Sequence, residues 1–244
     1  MADDSMLVFH NEALDGVTTG YGRVADMERG DIPGIRYNSG EHEAICFLED
    51  VVDTLAGTRT VLQVDLKLMR PISDARAAAL TAALEPLGSQ LVVGSQAHWN
   101  LRRLRGLPVA FDPTLHWHYA PGRRQGLVPR TLGVHGLWDD SPVALNRQFS
   151  PPEYVEARVQ DLRALLPEAV EWMVDIPTIN HLGTLGVGLG HRLARDGCAL
   201  AAWTLTGRTP GRKECLAGLF GHGAETVITD IPALAAADCG AAEL

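Results

Sequence analysis

The sequence predicts an α/β protein of the (β/α)8-barrel type. Three observations carry this. From about residue 60 onward, short apolar runs alternate with helical patterns, as repeated strand-helix units around a parallel sheet require. Polar residues recur at the ends of those runs: His10, Ser95, Asp112, Asp175, Thr204 and Asp230 each stand at or near the C-terminal end of a strand candidate, where parallel sheets place ligands. The run TVLQVDLKL places Leu62, Val64, Leu66 and Leu68 on one face and Gln63, Asp65 and Lys67 on the other. A strand covered on both sides would be apolar on both. This one reads either as an active-site strand with its polar face at a barrel mouth, or as a solvated edge strand.

The strand candidates are Met6–Asn11, Thr60–Leu68, Gln90–Ser95, Pro108–Asp112, Ala169–Pro177, Cys198–Thr206 and Glu225–Asp230. The first is a hairpin arm at best, because the LDGVTTGYGR behind it is turn-rich. Helices fill the gaps. Ser73 to about Leu87 is rich in Ala and Leu, and Ser150-Pro151-Pro152-Glu153 combines a capping box with proline in the first turn, ahead of Val155, Val159, Leu162 and Leu166 on one face. A helix is expected over His181 to Arg195, stopped by Asp196-Gly197, and another over Gly211 to about Gly221. Thr114 to Phe149 is rich in Pro, Gly, Arg and Trp and too long for an ordinary connection; it is either a functional lid-like loop or a plain insertion in a single domain spanning 1–244. Asp112, Asp175 and Asp230 each precede Pro or Ile-Pro, so turn and cap roles compete with ligand binding.

Composition sets the outer bounds. With 244 residues, 46% of them hydrophobic and 21% charged, the chain can bury a full core. It contains no run of about 18 apolar residues, and its acidic opening MADDSM is unlike a signal peptide, so no membrane span and a cytoplasmic location are expected. The formal charge of −9 disfavours nucleic acid and anionic membrane as partners. Cys46, Cys198, Cys215 and Cys239 have no metal-like spacing and read as free thiols.

Three blocks carry a family resemblance. HNEALDGVTTGYGRVAD resembles the segment of the glycerophosphodiester phosphodiesterases that begins with a catalytic His-Asp and runs through Leu-Asp-x-Thr-Thr-x-Gly-x-Gly. FLEDVVDTL followed by VLQVDLK is similar to that family's leading helix and strand ending in acid-x-Lys, and the tail from Gly197 resembles its closing Trp-Thr strand, helix and Ile-Thr-Asp-x-Pro strand. The blocks stand in family order and cover most of the chain outside Thr114 to Phe149. The resemblance implies a (β/α)8 barrel and metal-dependent hydrolysis of a glycerophosphodiester to glycerol 3-phosphate and an alcohol. It implies a paired-histidine acid-base role for His10, a metal-ligand role for Asp65, a phosphate-side role for Lys67 and a substrate-wall role for Trp203, with Mg²⁺ or Ca²⁺ as the divalent metal. Such a set makes chemical sense, since a hard dication neutralises phosphoryl charge while imidazoles move protons near neutral pH.

The chain departs from the family at its start. No His-Arg-Gly block and no Glu-x-Asp pair precede His10, Asn11 stands where the family has Asp, and His191-Arg192 lies inside a helix pattern and is no substitute. The expectation is an incomplete barrel lacking the first strand, first helix and part of the second strand. Its edge beside Val227 and Thr229 would be open, with self-association through that edge. Two functions remain open: a phosphodiesterase with a reduced catalytic set, and a non-catalytic homologue that binds a phosphate ligand around Lys67. His116 and His118, with His135 and Asp139-Asp140 behind them, offer either a replacement metal cluster or an aromatic-rich loop packed over the sheet.

Overall fold

The computed structural model describes residues 1–39, 43–114 and 150–240. Its elements in chain order are α1 (Leu48–Leu55), β1 (Leu62–Asp65), α2 (Asp74–Leu84), β2 (Leu91–Ser95), α3 (His98–Leu101), β3 (Val109–Phe111), α4 (Pro151–Leu165), β4 (Glu171–Asp175), α5 (Ile176–Thr184), α6 (Leu189–Ala194), β5 (Ala199–Leu205), α7 (Arg212–Gly221), β6 (Thr226–Thr229) and α8 (Pro232–Asp238), with three short 3₁₀ turns besides. Among the described residues the strands form a six-stranded sheet in the order β1-β2-β3-β4-β5-β6. Sequential order with helices between strands is the connectivity of a (β/α) barrel wall. The pairs β3/β4, β4/β5 and β5/β6 are parallel, with Glu171 opposite both Ala110 and Ala199, and Asp175 opposite Trp203. The chain divides into two compact units, one of Met1–Val93 with Trp99–Leu107, the other of Gly94–His98 with Pro108–Leu244.

In the first unit, the described residues among 1–47 form no regular strand. They are tied by isolated antiparallel bridges, Leu7 to Phe47, Ala13 to Arg23, Thr18 to Tyr37 and Arg36 to Ala44. They close over a small core of Leu14, Ile32, Ile45 and Phe47. The expected strand Met6–Asn11 is therefore corrected to a single bridge. His10, Asn11 and Glu12 are all exposed, so beyond Phe9 the segment has no apolar alternation to bury against a sheet. Helix α2 begins where Ser73 Oγ accepts from the Arg76 N–H at 3.1 Å and buries Ala77, Leu80 and Leu84.

In the second unit, the capping box of α4 forms as expected, the Ser150 N–H donating to Glu153 Oε2 at 2.8 Å. Val155, Val159, Leu162 and Leu166 are all buried. Two boundaries differ from the sequence pattern. The Ala169–Pro177 strand ends at Asp175, which caps α5 by accepting from the Thr178 N–H at 3.0 Å, so Pro177 lies in the first helical turn. The single helix expected over His181 to Arg195 is instead the end of α5 and a separate α6. Gly186 at φ +78° breaks it, with the Val187 N–H closing back on Leu182 O. Helix α8 lay unmarked in the sequence pattern, its Ala-rich turns having little amphipathic contrast.

Buried Arg192 on α6 joins two elements, its Nε bonded to Glu156 Oε2 of α4 and its Nη1 to Asp196 Oδ2 at 2.7 Å. These hydrogen bonds hold both carboxylates below their ordinary range. Their stabilisation is thus fully present above about pH 4 and is lost as pH falls through the lowered folded values. Both carboxylates are well solvated, so the effect is about 1 kcal/mol or less. In urea unfolding, Arg192→Met should differ from the parent protein more at pH 7 than at pH 3; an equal gap at both would show that the ion pairs contribute no pH dependence. The four cysteines are free, and burial pushes the Cys198 thiol up to about 11. Among the described residues no helix is long and apolar enough to cross a membrane.

Candidate functional site

Strand β1 is shorter than the expected Thr60–Leu68 run: it ends at Asp65, with Leu62, Gln63 and Val64 partly covered and Asp65 exposed, and beyond it Leu66 and Leu68 are partly covered while Lys67 is exposed. Asp65 ends the strand, and Lys67 Nζ lies 2.6 Å from Asp65 Oδ2, both side chains about half exposed. The structure thus brings together two of the residues singled out in the sequence. The loop that follows is held by Asn100, which is fully buried. Its Nδ2 donates to Leu68 O at 2.7 Å and Arg70 O at 3.0 Å, and its Oδ1 accepts from the Ile72 N–H at 3.0 Å. Trp99 Nε1 adds a bond to Met69 O at 3.2 Å. Sequence reasoning missed Asn100; an amide within the HWNLRRL run was its only signal, because its partners lie about thirty residues away.

His10 lies elsewhere in the same unit, on the wall of a groove of about 430 Å³ that it shares with Phe9, Asn11, Val17, Tyr37 and Asn38. The groove is built by backbone pairing. The Asn38 N–H donates to Val17 O at 3.0 Å, and Asn38 Nδ2 to Thr18 O at 2.8 Å, while the Phe9 and Tyr37 rings stack with centroids 5.9 Å apart. His10 Nδ1 is 2.9 Å from Asn11 Oδ1. An amide oxygen only accepts, which places the proton on Nδ1 and leaves Nε2 with the lone pair a base needs. An amide lacks the charge with which an aspartate would stabilise the imidazolium.

Trp203 is on β5 in the second unit, its Nε1 buried with no hydrogen-bond partner among the described residues. Three residues expected at the mouth have local structural bonds. Ser95 Oγ accepts from the Ala97 N–H, Asp112 accepts from the Thr114 N–H and from Gln96 Nε2, and Asp175 caps α5. Thr204 and Asp230 are exposed. His116, His118, His135, Asp139 and Asp140 lie outside the described residues.

The described residues do not fit a divalent metal. Among them no three His, Cys, Asp or Glu side chains are grouped to share an ion, and the carboxylate of Asp65 faces the ammonium of Lys67. Mg²⁺ or Ca²⁺ needs several oxygens. What the β1 end offers is the ammonium of Lys67, a point positive charge of the kind that binds phosphoryl oxygens, held here by the Asp65 carboxylate as its counter-ion.

No protein-family model matches the chain, and no curated protein matches it. Solved structures do, and they define the class: the fold is that of the glycerophosphodiester phosphodiesterases. A protein of Agrobacterium tumefaciens assigned to the glycerophosphoryl diester phosphodiesterases aligns with a TM-score of 0.60 at 18% identity, over 97% of this chain and 81% of its own. A phosphodiesterase of Oleispira antarctica, solved with its product sn-glycerol-3-phosphate, aligns with a TM-score of 0.59 at 12% identity, over 98% of this chain and 81% of its own. A further glycerophosphodiester phosphodiesterase of A. tumefaciens aligns with a TM-score of 0.57 at 14% identity, over 98% and 82%. The resemblance carried by the three sequence blocks is thus met by the fold.

Proposed function

We propose that this chain is a glycerophosphodiester phosphodiesterase-type protein that binds a glycerophosphodiester or glycerol 3-phosphate and hydrolyses the diester slowly. The observation that carries the reading is the position of Lys67. Its ammonium stands just past the C-terminal end of a strand, where this fold class places ligands, in a fold shared with a phosphodiesterase that holds sn-glycerol-3-phosphate. In this reading Lys67 takes the phosphoryl oxygens, and His10 Nε2 takes the proton of the attacking nucleophile and then passes it to the leaving alcohol.

Slow turnover follows from what the two reactive groups touch. Asp65 is engaged by Lys67, and His10 leans on a neutral amide. General acid-base assistance is worth about 10²–10⁴-fold and the electrostatic relief a metal supplies several kcal/mol more, so weakening both lowers the rate steeply. The test is release of glycerol 3-phosphate from glycerophosphocholine with Mg²⁺ or Ca²⁺ present. Binding with turnover well below about 1 s⁻¹ is expected; turnover at or above that value would make the chain an ordinary enzyme of the class. Absence of both binding and turnover would overturn the reading altogether.

A further inference from the structure

We infer that the loop after β1, together with Trp99 of α3 and the arginines behind it, forms a docking patch for an anionic membrane surface. Two stretches of the first unit, 66–73 and 99–107, meet here. Trp99 Nε1 donates to Met69 O at 3.2 Å, and buried Asn100 donates to Leu68 O and Arg70 O. Together the stretches carry Lys67, Arg70, Arg102, Arg103 and Arg105 and no carboxylate, in a chain whose formal charge is −9. All of these cations are exposed, with Lys67 held by Asp65 and Arg103 by Asp74. Met69 is 50% exposed and Trp99 39%. The patch is thus an island of positive charge around two apolar side chains, opposite in sign to the chain as a whole.

Charge alone suits any polyanion; the backbone of the loop singles out a membrane. Three successive carbonyls, those of Leu68, Met69 and Arg70, accept from side chains of the protein itself, and the Ile72 N–H donates to Asn100 Oδ1. A solvated loop has water for such groups, whereas one that enters the headgroup layer must satisfy them internally. The same bonding engages the indole N–H of Trp99, so the ring meets an apolar boundary without leaving a donor unpaired. An indole and a thioether suit that boundary, and guanidinium forks suit the lipid phosphates above it. A nucleic acid would use the arginines and leave Met69 idle. A stable protein interface buries about 800 Å² a side around an apolar core, more than Met69 and Trp99 present. The inference stands apart from the phosphodiesterase reading, since docking needs no reaction.

The experiment is co-sedimentation of the intact chain with lipid vesicles at low salt. Vesicles of equimolar phosphatidylglycerol and phosphatidylcholine should bind it at least about tenfold more tightly than phosphatidylcholine alone, and the preference should fade as ionic strength rises. No binding to the anionic vesicles, or equal binding to both kinds, would overturn the inference. Arg70→Ala combined with Arg105→Ala should weaken binding about thirtyfold, whereas Arg70→Lys combined with Arg105→Lys should keep it within about threefold, because the surface potential acts on the charge. Equal loss in the two double variants would contradict a role for that charge. Met69→Ser should weaken binding about tenfold, the effect of keeping one such side chain in water, while leaving the urea midpoint unchanged. Full binding by Met69→Ser would overturn entry of the loop into the lipid. A single-stranded oligonucleotide that bound the chain as tightly as the anionic vesicles would make the patch a general polyanion surface and overturn the membrane assignment.

Discussion

Lys67→Ala should abolish measurable binding of glycerol 3-phosphate, while Asp65→Asn should leave it equal or a few-fold tighter. The asymmetry comes from the pair's geometry. Lys67 Nζ and Asp65 Oδ2 are 2.6 Å apart at a half-exposed position, so the aspartate is an internal counter-ion competing with any incoming phosphate. Removing the ammonium deletes a charge-assisted hydrogen bond of about 1.5–3 kcal/mol, at least tenfold in affinity. Removing the carboxylate charge deletes only the competitor, and a half-exposed ion pair of this kind is itself worth about 1 kcal/mol or less. Calorimetric titration at low salt reads both variants, and the lysine effect should shrink as ionic strength rises. Small and equal effects of the two substitutions would mark the pair as surface decoration.

The second large effect is expected at Asn100. Asn100→Ala removes, from a fully buried position, the partner of two carbonyls and one N–H, those of Leu68, Arg70 and Ile72. Leaving such groups unpaired away from water costs about 1–3 kcal/mol each, and partial rehydration of the loop offsets part of that, so a loss of about 3 kcal/mol in urea unfolding is expected. Because the released loop begins one residue after Lys67, glycerol 3-phosphate affinity should fall as well. Asn100→Asp cannot rescue it, since a carboxylate accepts from the Ile72 N–H but repels the two carbonyls that the amide nitrogen satisfied. A variant as stable as the parent protein would mean that water replaces the amide without loss.

The alternation of apolar strands and amphipathic helices was legible wherever burial repeats at a fixed period. From Leu91 to Thr229 every observed strand falls within an expected apolar run, and the N-cap Ser150 of α4 announced its start ahead of the buried face that begins at Tyr154. Legibility failed where the deciding contact is distant or the segment irregular. The described residues among 1–47 are joined by single bridges over a buried core of Leu14, Ile32, Ile45 and Phe47, a pattern with no period to read. Asp112 and Asp175 resemble ligands in one dimension because a strand-ending aspartate followed by proline serves a turn, a cap and a metal equally well; in the folded chain their oxygens accept from nearby N–H groups.

By itself the sequence determined the α/β alternation, the order of the strands from β2 to β6, and the nearness of Asp65 to Lys67, because each depends on local period and on residues a few positions apart. Tertiary structure alone decided the rest. It placed His10 in an aromatic groove with Tyr37, and it seated Asn100 under the loop after Lys67. It also turned an expected single helix into α5 and α6 around Gly186. Each of these joins residues far apart in the chain or follows from where the surrounding backbone must turn, and neither is encoded in the spacing of neighbouring side chains.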